Sequence, residues 1–188
     1  HKLNLKPWID LQKKIKKRKH KVKIAVVGKY TNLKDSYKSL NEALVHGGIE
    51  NSADVDIQWI NSEKENNASL IKKLKGCHGI LIPGGFGIRG INGKISAIKY
   101  ARENNIPFFG ICLGMQLAVI EIAQNVLKIK NAHSSEFKKT NKSVVGLMTE
   151  WVNKNKIEKR DKNSDKGGTM RLGAYKAVLK KNSKIFSI

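Results

Sequence analysis

A chain of 188 residues with 40% hydrophobic and 28% charged residues has the size and make-up of one globular domain, which excludes a disordered chain. No apolar run approaches the ~20 residues that cross a bilayer, and His1-Lys2-Leu3-Asn4 lacks the apolar core of a secretory signal. The 37 basic and 15 acidic residues leave a net charge of +22, but this excess does not have the pattern of nucleic-acid recognition. It is 32 Lys to 5 Arg, spread along the whole chain beside 17 Asn, whereas phosphate and base recognition leans on Arg forks. A cytoplasmic protein with neither a nucleic-acid nor a membrane partner is expected. Two cysteines, Cys77 and Cys112, are too few for a disulfide framework or a Cys-based zinc site. No metal is expected.

Residues 1–20 read as a linker leading into a domain that begins at residue 21. Pro7, Trp8, Leu11 and Ile15 give one weak stripe on a short helix, and the rest is charge. The absence of an initial Met suggests that the chain starts inside a longer product. Val22 to Gly28 is an apolar run of the kind buried on both faces of a sheet. Leu33 to His46 has helical spacing through Tyr37, Leu40, Leu44 and Val45, with Gly47-Gly48 closing it as a C-cap. Val55 to Ile60 alternates as a strand, and Asn67 to Lys75 is a short helix stopped by Gly76. Gly79 to Ile82 is a strand that runs into the glycine-rich loop Pro83-Gly84-Gly85-Phe86-Gly87. A helix from about Lys94 to Asn104, a strand from Ile106 to Ile111 and a helix from Leu113 to Leu127 follow. Val144 to Trp151 and Gly173 to Leu179 are expected as further strands. Four strand–helix alternations with short connections predict an α/β fold, with a parallel sheet covered on both faces and ligands bound at the carboxyl ends of its strands.

Two loops at those ends carry chemistry. Gly110-Ile111-Cys112-Leu113-Gly114 is a G-x-C-x-G word between an apolar strand and a helix, the thiol form of a nucleophile elbow. The flanking glycines keep a Cβ out of a tight turn, and the following helix N-terminus favours a thiolate at Cys112. The amide of Leu113 points where an oxyanion forms, and a second donor is expected from the loop at Gly85. Cys77 reads as a small buried hydrophobe. Gly85, Gly87 and Gly90 also match the dinucleotide spacing G-x-G-x-x-G. That match is discounted because the stretch contains the P-G-G word and no helix start is evident close behind it.

Gly110 to Gln116 resembles the nucleophile motif of class I glutamine amidotransferases, and Pro83-Gly84-Gly85 their oxyanion loop. Longer words resemble the CTP synthases within that family: Val27-Gly28-Lys29-Tyr30, Asp35 to Ser39, Glu103 to Pro107, Asn131 to Phe137 and Gly167 to Gly173. The similarity runs from about Val22 to Lys180. It implies a three-layer, flavodoxin-like amidotransferase domain over residues 21–188, incomplete at its C-terminus, with residues 1–20 the remnant of a linker from an absent amidoligase domain. It implies that Cys112 forms a γ-glutamyl thioester and releases ammonia, with Gly85 and Leu113 as the oxyanion hole. Glutamine is expected to contact Gly85, Leu113, Gly114, Met115, Gln116 and Glu136, with Glu136 pairing with the α-ammonium. Without the resemblance, Glu136 reads as a surface carboxylate near a helix start.

The resemblance further implies a carbon–nitrogen ligase of pyrimidine biosynthesis that passes ammonia to UTP. The amidotransferase domain itself needs no cofactor. ATP with magnesium is expected in the absent domain, with GTP as activator and a tetramer as the assembly. No G-x-x-x-x-G-K-S/T word occurs in this chain. The chain departs from the family in two respects: none of its histidines, His1, His20, His46, His78 and His133, begins the late His-Pro-Glu word that completes the catalytic triad, and the His- and Arg-rich stretch before it, whose arginine contacts glutamine, is missing. The chain alone is therefore expected to turn over glutamine poorly. An amidotransferase of another pathway, disfavoured by Gly167 to Gly173, and a non-catalytic basic nucleic-acid binder remain as alternatives.

Overall fold

The computed structural model describes residues 3–29, 34–146, 150–153, 156–159 and 176–187. The chain divides into two compact units, His1–Leu147 and Met148–Ile188.

In the first unit, helix α1 (Lys6–Lys16) buries none of its residues. Its neighbourhood is tied down by Lys14 to Glu50 at 2.6 Å and Arg18 to Asp54 at 2.9 Å. Exposed ion pairs of this kind contribute ~0–1 kcal/mol each.

The central sheet is formed by β1 (His20–Gly28), β2 (Ala53–Asn61), β3 (Gly79–Ile82) and β4 (Phe108–Gly110). All its pairings are parallel and the order is β2-β1-β3-β4. The reversal of order between β1 and β3 is the point where such sheets open a crevice at their carboxyl ends.

Helix α2 (Lys38–Glu50) connects β1 to β2, preceded by a 3-10 turn at Lys34–Tyr37. Helices α3 (Asn67–Leu74), α4 (Ile91–Glu103) and α5 (Leu113–Glu121) make the remaining connections. Asn66 caps α3 by accepting from the Ser69 amide at 2.8 Å. Leu70 and Leu74 on α3, Ala97 and Ile98 on α4, and Leu117 and Ile120 on α5 are buried in one core with Val27 and Ile82 of the sheet. On α5 the spacing Leu113, Leu117, Ile120 is one helical face, and all three are buried.

Two expectations about these elements are corrected. Gly47 and Gly48 do not end α2, which continues to Glu50. Gly48 lies against β2 instead, where a Cβ would stand 2.6 Å from Val55 Cγ2 and 2.8 Å from the Ala53 carbonyl oxygen. Helix α4 starts at Ile91 rather than near Lys94, with Gly90 as its N-cap at φ +71°. A helix therefore does follow the 85–90 glycines closely, although the sequence shows no helix start there. Close packing accounts for the last glycine, since a Cβ on Gly90 would fall 2.3 Å from Ser62 Oγ.

The helix expected to reach Leu127 changes character at Ile122, where residues Ile122–Val126 form a π turn closed by Leu127 N–H donating to the Ile122 carbonyl at 3.0 Å. Beyond it, β5 (His133–Ser134) and β6 (Ser143–Val145) form a small parallel pair.

Glu121 is fully buried and accepts three hydrogen bonds from Arg102, the closest at 2.8 Å. This bond raises the Arg102 pKa further above its ordinary value. Removing one partner strands a charge, whereas removing both does not. In urea unfolding, Arg102→Leu is expected to destabilise the chain, and Arg102→Leu combined with Glu121→Leu to recover most of that loss.

In the second unit, β7 (Glu150–Asn153) and β8 (Lys156–Lys159) pair antiparallel, with Lys159 to Glu150 at 3.2 Å. The single strand expected over Val144 to Trp151 is thus the end of β6 and the start of β7, which lie in different sheets. For the strand expected over Gly173 to Leu179, residues 173–175 lie outside the described residues, and Lys176 to Leu179 form no regular structure. The word Gly167 to Gly173 also lies outside them. Among the described residues no helix is long and apolar enough to cross a membrane.

Candidate active site

The loops after β1, β3 and β4 meet at the carboxyl end of the sheet. Cys112 stands between β4 and α5, as the N-cap of that helix, with φ +50° and ψ −104°. A non-glycine residue rarely adopts a positive φ, and holding one there costs ~1–3 kcal/mol, which surrounding structure must maintain. The packing on either side shows how. A Cβ on Gly110 would lie 2.5 Å from the Gly114 carbonyl carbon, and one on Gly114 would lie 2.2 Å from the Ile82 carbonyl oxygen. Helix α5 therefore starts pressed against β3, and only glycine fits at both flanks. The Ile111 amide donates to the Ile82 carbonyl at 2.9 Å, the Gly114 amide to Ile111 at 2.9 Å and the Gln116 amide to Cys112 at 3.1 Å. The strained residue is held between two bonded turns, and Cys112 is exposed.

Cys77 is also a free thiol but is buried, and burial pushes its pKa above the ordinary value. The two cysteines thus differ in access as the sequence leads one to expect.

The Pro83–Gly87 loop lies against the elbow. A Cβ on Gly84 would stand 3.5 Å from Cys112 Cβ, and one on Gly85 would stand 3.7 Å from Leu113 Cδ2. Glu136, in the turn after β5, is exposed. Its Oε1 accepts from the Gly87 amide at 3.4 Å, which joins a third segment of chain to the loop. Of the predicted site residues, Leu113 and Gly114 are buried, Gln116 is half-buried and Met115 is exposed. Beside Pro83, Gly84 and Ile111, an open depression of ≈ 370 Å³ is also lined by Ser36, Tyr37 and Ser39.

One residue given no role by the sequence enters this arrangement. Lys29, directly after β1, extends along the loop so that its Cε lies 3.8 Å from where a Gly85 Cβ would be, and its Nζ donates to the Phe86 carbonyl.

Among the described residues, no histidine hydrogen-bonds to the Cys112 thiol. His78 Nδ1 accepts from the Lys23 amide at 2.9 Å and His133 Nδ1 from the Ser134 amide at 3.0 Å. No group of three or more His, Cys, Asp or Glu that could hold a metal ion occurs among the described residues.

Residues 32–187 match the family described as glutamine amidotransferase class-I. The CTP synthase of Bartonella henselae is 53% identical over 191 residues, which take in 100% of this chain and 35% of that protein. The CTP synthase of Rhizobium johnstonii is 55% identical over 187 residues, 98% of this chain and 34% of that protein. The chain thus spans about a third of the length of the curated relatives it matches. A solved structure, the glutaminase domain of Trypanosoma brucei CTPS with bound acivicin, is similar with a TM-score of 0.57 and 46% identity, covering 62% of this chain and 46% of that one.

Proposed function

Because this chain belongs to the class I glutamine amidotransferase family, we propose that it forms the glutamine-hydrolysing part of a CTP synthase. The observation that carries the proposal is the exposed Cys112 at φ +50°, between two glycines that admit no Cβ and in contact with the Pro83–Gly87 loop.

The chemistry follows from that arrangement. Cys112 Sγ attacks the side-chain amide carbon of L-glutamine and a C–S bond forms. The carbonyl electron pair moves onto oxygen, where the amides of Gly85 and Leu113 stabilise the charge. Collapse breaks the C–N bond, the proton given up by the Cys112 thiol ends on the nitrogen, and ammonia leaves. The γ-glutamyl thioester on Cys112 is then hydrolysed by water to glutamate. Glu136 pairs with the α-ammonium of glutamine, and Gly114, Met115 and Gln116 line the substrate. The ammonia serves amination of UTP to CTP, which draws on ATP and magnesium in another part of a CTP synthase. GTP acts as activator and the whole enzyme as a tetramer. No residue of this chain is assigned to UTP, ATP, magnesium or GTP.

The test needs only the nucleophile and its pocket, and does not depend on turnover. The glutamine analogue 6-diazo-5-oxo-norleucine is expected to add one label per chain, at Cys112 and not at Cys77, with protection by excess L-glutamine. Cys112→Ser is expected to abolish it. Equal labelling of both cysteines, or none in a chain shown to be folded, would sink the reading.

A further inference from the structure

The Phe86–Gly87 peptide is held at both ends by side chains from distant parts of the chain. Its carbonyl accepts from the Lys29 ammonium, and its N–H donates to the Glu136 carboxylate at 3.4 Å. The charges match the peptide dipole, with the cation at the oxygen and the anion at the N–H. We propose that Lys29 is a positioning residue: it fixes the Phe86–Gly87 peptide and thereby aims the Gly85 amide at the oxyanion. This inference rests on the functional reading above.

The physical need for such a brace lies in the loop's own sequence. Gly84, Gly85 and Gly87 are three glycines in five residues, and Gly87 adopts φ +76°. Each ordered backbone residue costs ~1–2 kcal/mol of entropy, and glycine loses the most. An oxyanion donor works only if it is oriented before the charge appears. A loop so free in its backbone must be oriented from outside.

Lys29 is suited to that task. It leaves the end of β1, whose preceding residues Ala25, Val26 and Val27 are wholly buried, so its Cα is set by the rigid centre of the sheet. Its stem crosses Gly85 before the ammonium reaches Phe86. Glu136 makes the weaker half of the clamp, with an exposed side chain, a long hydrogen bond and a carboxylate that glutamine's α-ammonium also engages. Lys29 is the half whose bond does not compete with substrate.

The test compares this chain with its Lys29→Met and Lys29→Arg variants. Acivicin is the site-directed reagent, because attack by the thiol places negative charge on its ring, and iodoacetamide is the control, because it alkylates a thiol without an oxyanion. For Lys29→Met the maximal rate of acivicin inactivation of Cys112 is expected to fall at least ~10-fold, with the half-saturating concentration changed less than threefold and the iodoacetamide rate unchanged. Lys29→Arg, which keeps a cationic donor, is expected to recover most of the rate. In parallel, amide hydrogen exchange in the 84–88 segment is expected to accelerate in Lys29→Met while that of β3 stays as it was.

An unchanged acivicin rate and unchanged exchange in Lys29→Met would overturn the proposal. So would equal slowing of acivicin and iodoacetamide, since that reports damage to the elbow rather than aim of the loop. A parent chain that is folded and alkylated by iodoacetamide but not by acivicin would instead defeat the functional reading. The exchange measurement then still decides whether Lys29 holds the loop.

Discussion

Gly114→Ala is expected to destabilise the chain by about 3 kcal/mol, the upper end of the cost of forcing atoms into a packed interior, and to remove labelling at Cys112. The added methyl meets the Ile82 carbonyl oxygen at 2.2 Å, with the Ile82 carbonyl carbon at 3.0 Å and Cβ at 3.1 Å. Two of those three atoms are backbone of a central strand, so no side-chain rotation relieves the contact. Helix α5 has to move off β3, carrying Leu113 and the elbow with it. For a chain of this size the loss corresponds to a fall of roughly 6–12 °C in melting temperature.

The matched control is Gly47→Ala. Gly47 lies inside α2, and a Cβ there meets nothing within 4 Å. Replacing a mid-helix glycine by alanine at such a place stabilises by roughly 0.5–1 kcal/mol. Opposite signs from the same chemical change, read in parallel thermal melts, separate steric demand from helix propensity. Equal effects at both positions would mean that α5 does not start against β3.

Lys94→Met is expected to raise stability at neutral pH by about 3 kcal/mol and to flatten its dependence on alkaline pH. Lys94 is 1% exposed in the first turn of α4, and burial, with Lys29 adding repulsion, lowers its pKa from 10.5 to about 8. Glu63 acts the other way, but much of its charge is committed to Arg89, which donates to its carboxylate at 2.6 and 2.9 Å. Between pH 8 and 10.5 the unfolded chain keeps the proton that the folded chain has released. The unfolded state then binds more protons, so stability rises with pH across that window. The difference of about 2.5 pKa units is equivalent to roughly 3 kcal/mol of unfavourable charge burial at pH 7. Methionine keeps the length and apolar body of the side chain without the charge. Chemical unfolding of both proteins at pH 7, 9 and 10.5 is the measurement, with curves expected to be far apart at pH 7 and to converge at pH 10.5. A constant gap would mean that Lys94 contributes through packing alone.

Lys94 also marks a limit of reading from sequence. Within Ile91-Asn92-Gly93-Lys94 a lysine reads as a solvent-facing residue, since lysine is almost never fully buried without a partner. One residue before it, α4 approaches Ser62 so closely that a Cβ on Gly93 would lie 2.3 Å from the Ser62 carbonyl oxygen. That contact joins positions some thirty residues apart and leaves no local pattern. The same holds for Glu121, whose place on the buried side of α5 makes sense only through Arg102 on α4. Gly47-Gly48 misled in the opposite way. A glycine pair after a periodic segment has the local signature of a helix end, but Gly48 is glycine because β2 leaves no room for a side chain.

The elements of the parallel sheet were legible because their signals are local: apolar runs for strands buried on both faces, a 3.6-residue period for helices, and glycine where the chain turns. The turn at Cys112 and the loop at Gly85 were legible for the same reason, since a tight strand-to-helix turn imposes its glycines, Gly110 and Gly114, within two residues of Cys112. Tertiary structure alone decided which side chains orient that loop. Lys29 and Glu136 are more than a hundred residues apart, on segments whose sequences say nothing of each other. They meet at the Phe86–Gly87 peptide only because the sheet order brings the end of β1 beside the end of β3 and α5 delivers the turn after β5 to the same edge. Periodicity and turn chemistry are short-range properties of the chain, while hydrogen-bond partners and burial depend on where folding brings distant segments together.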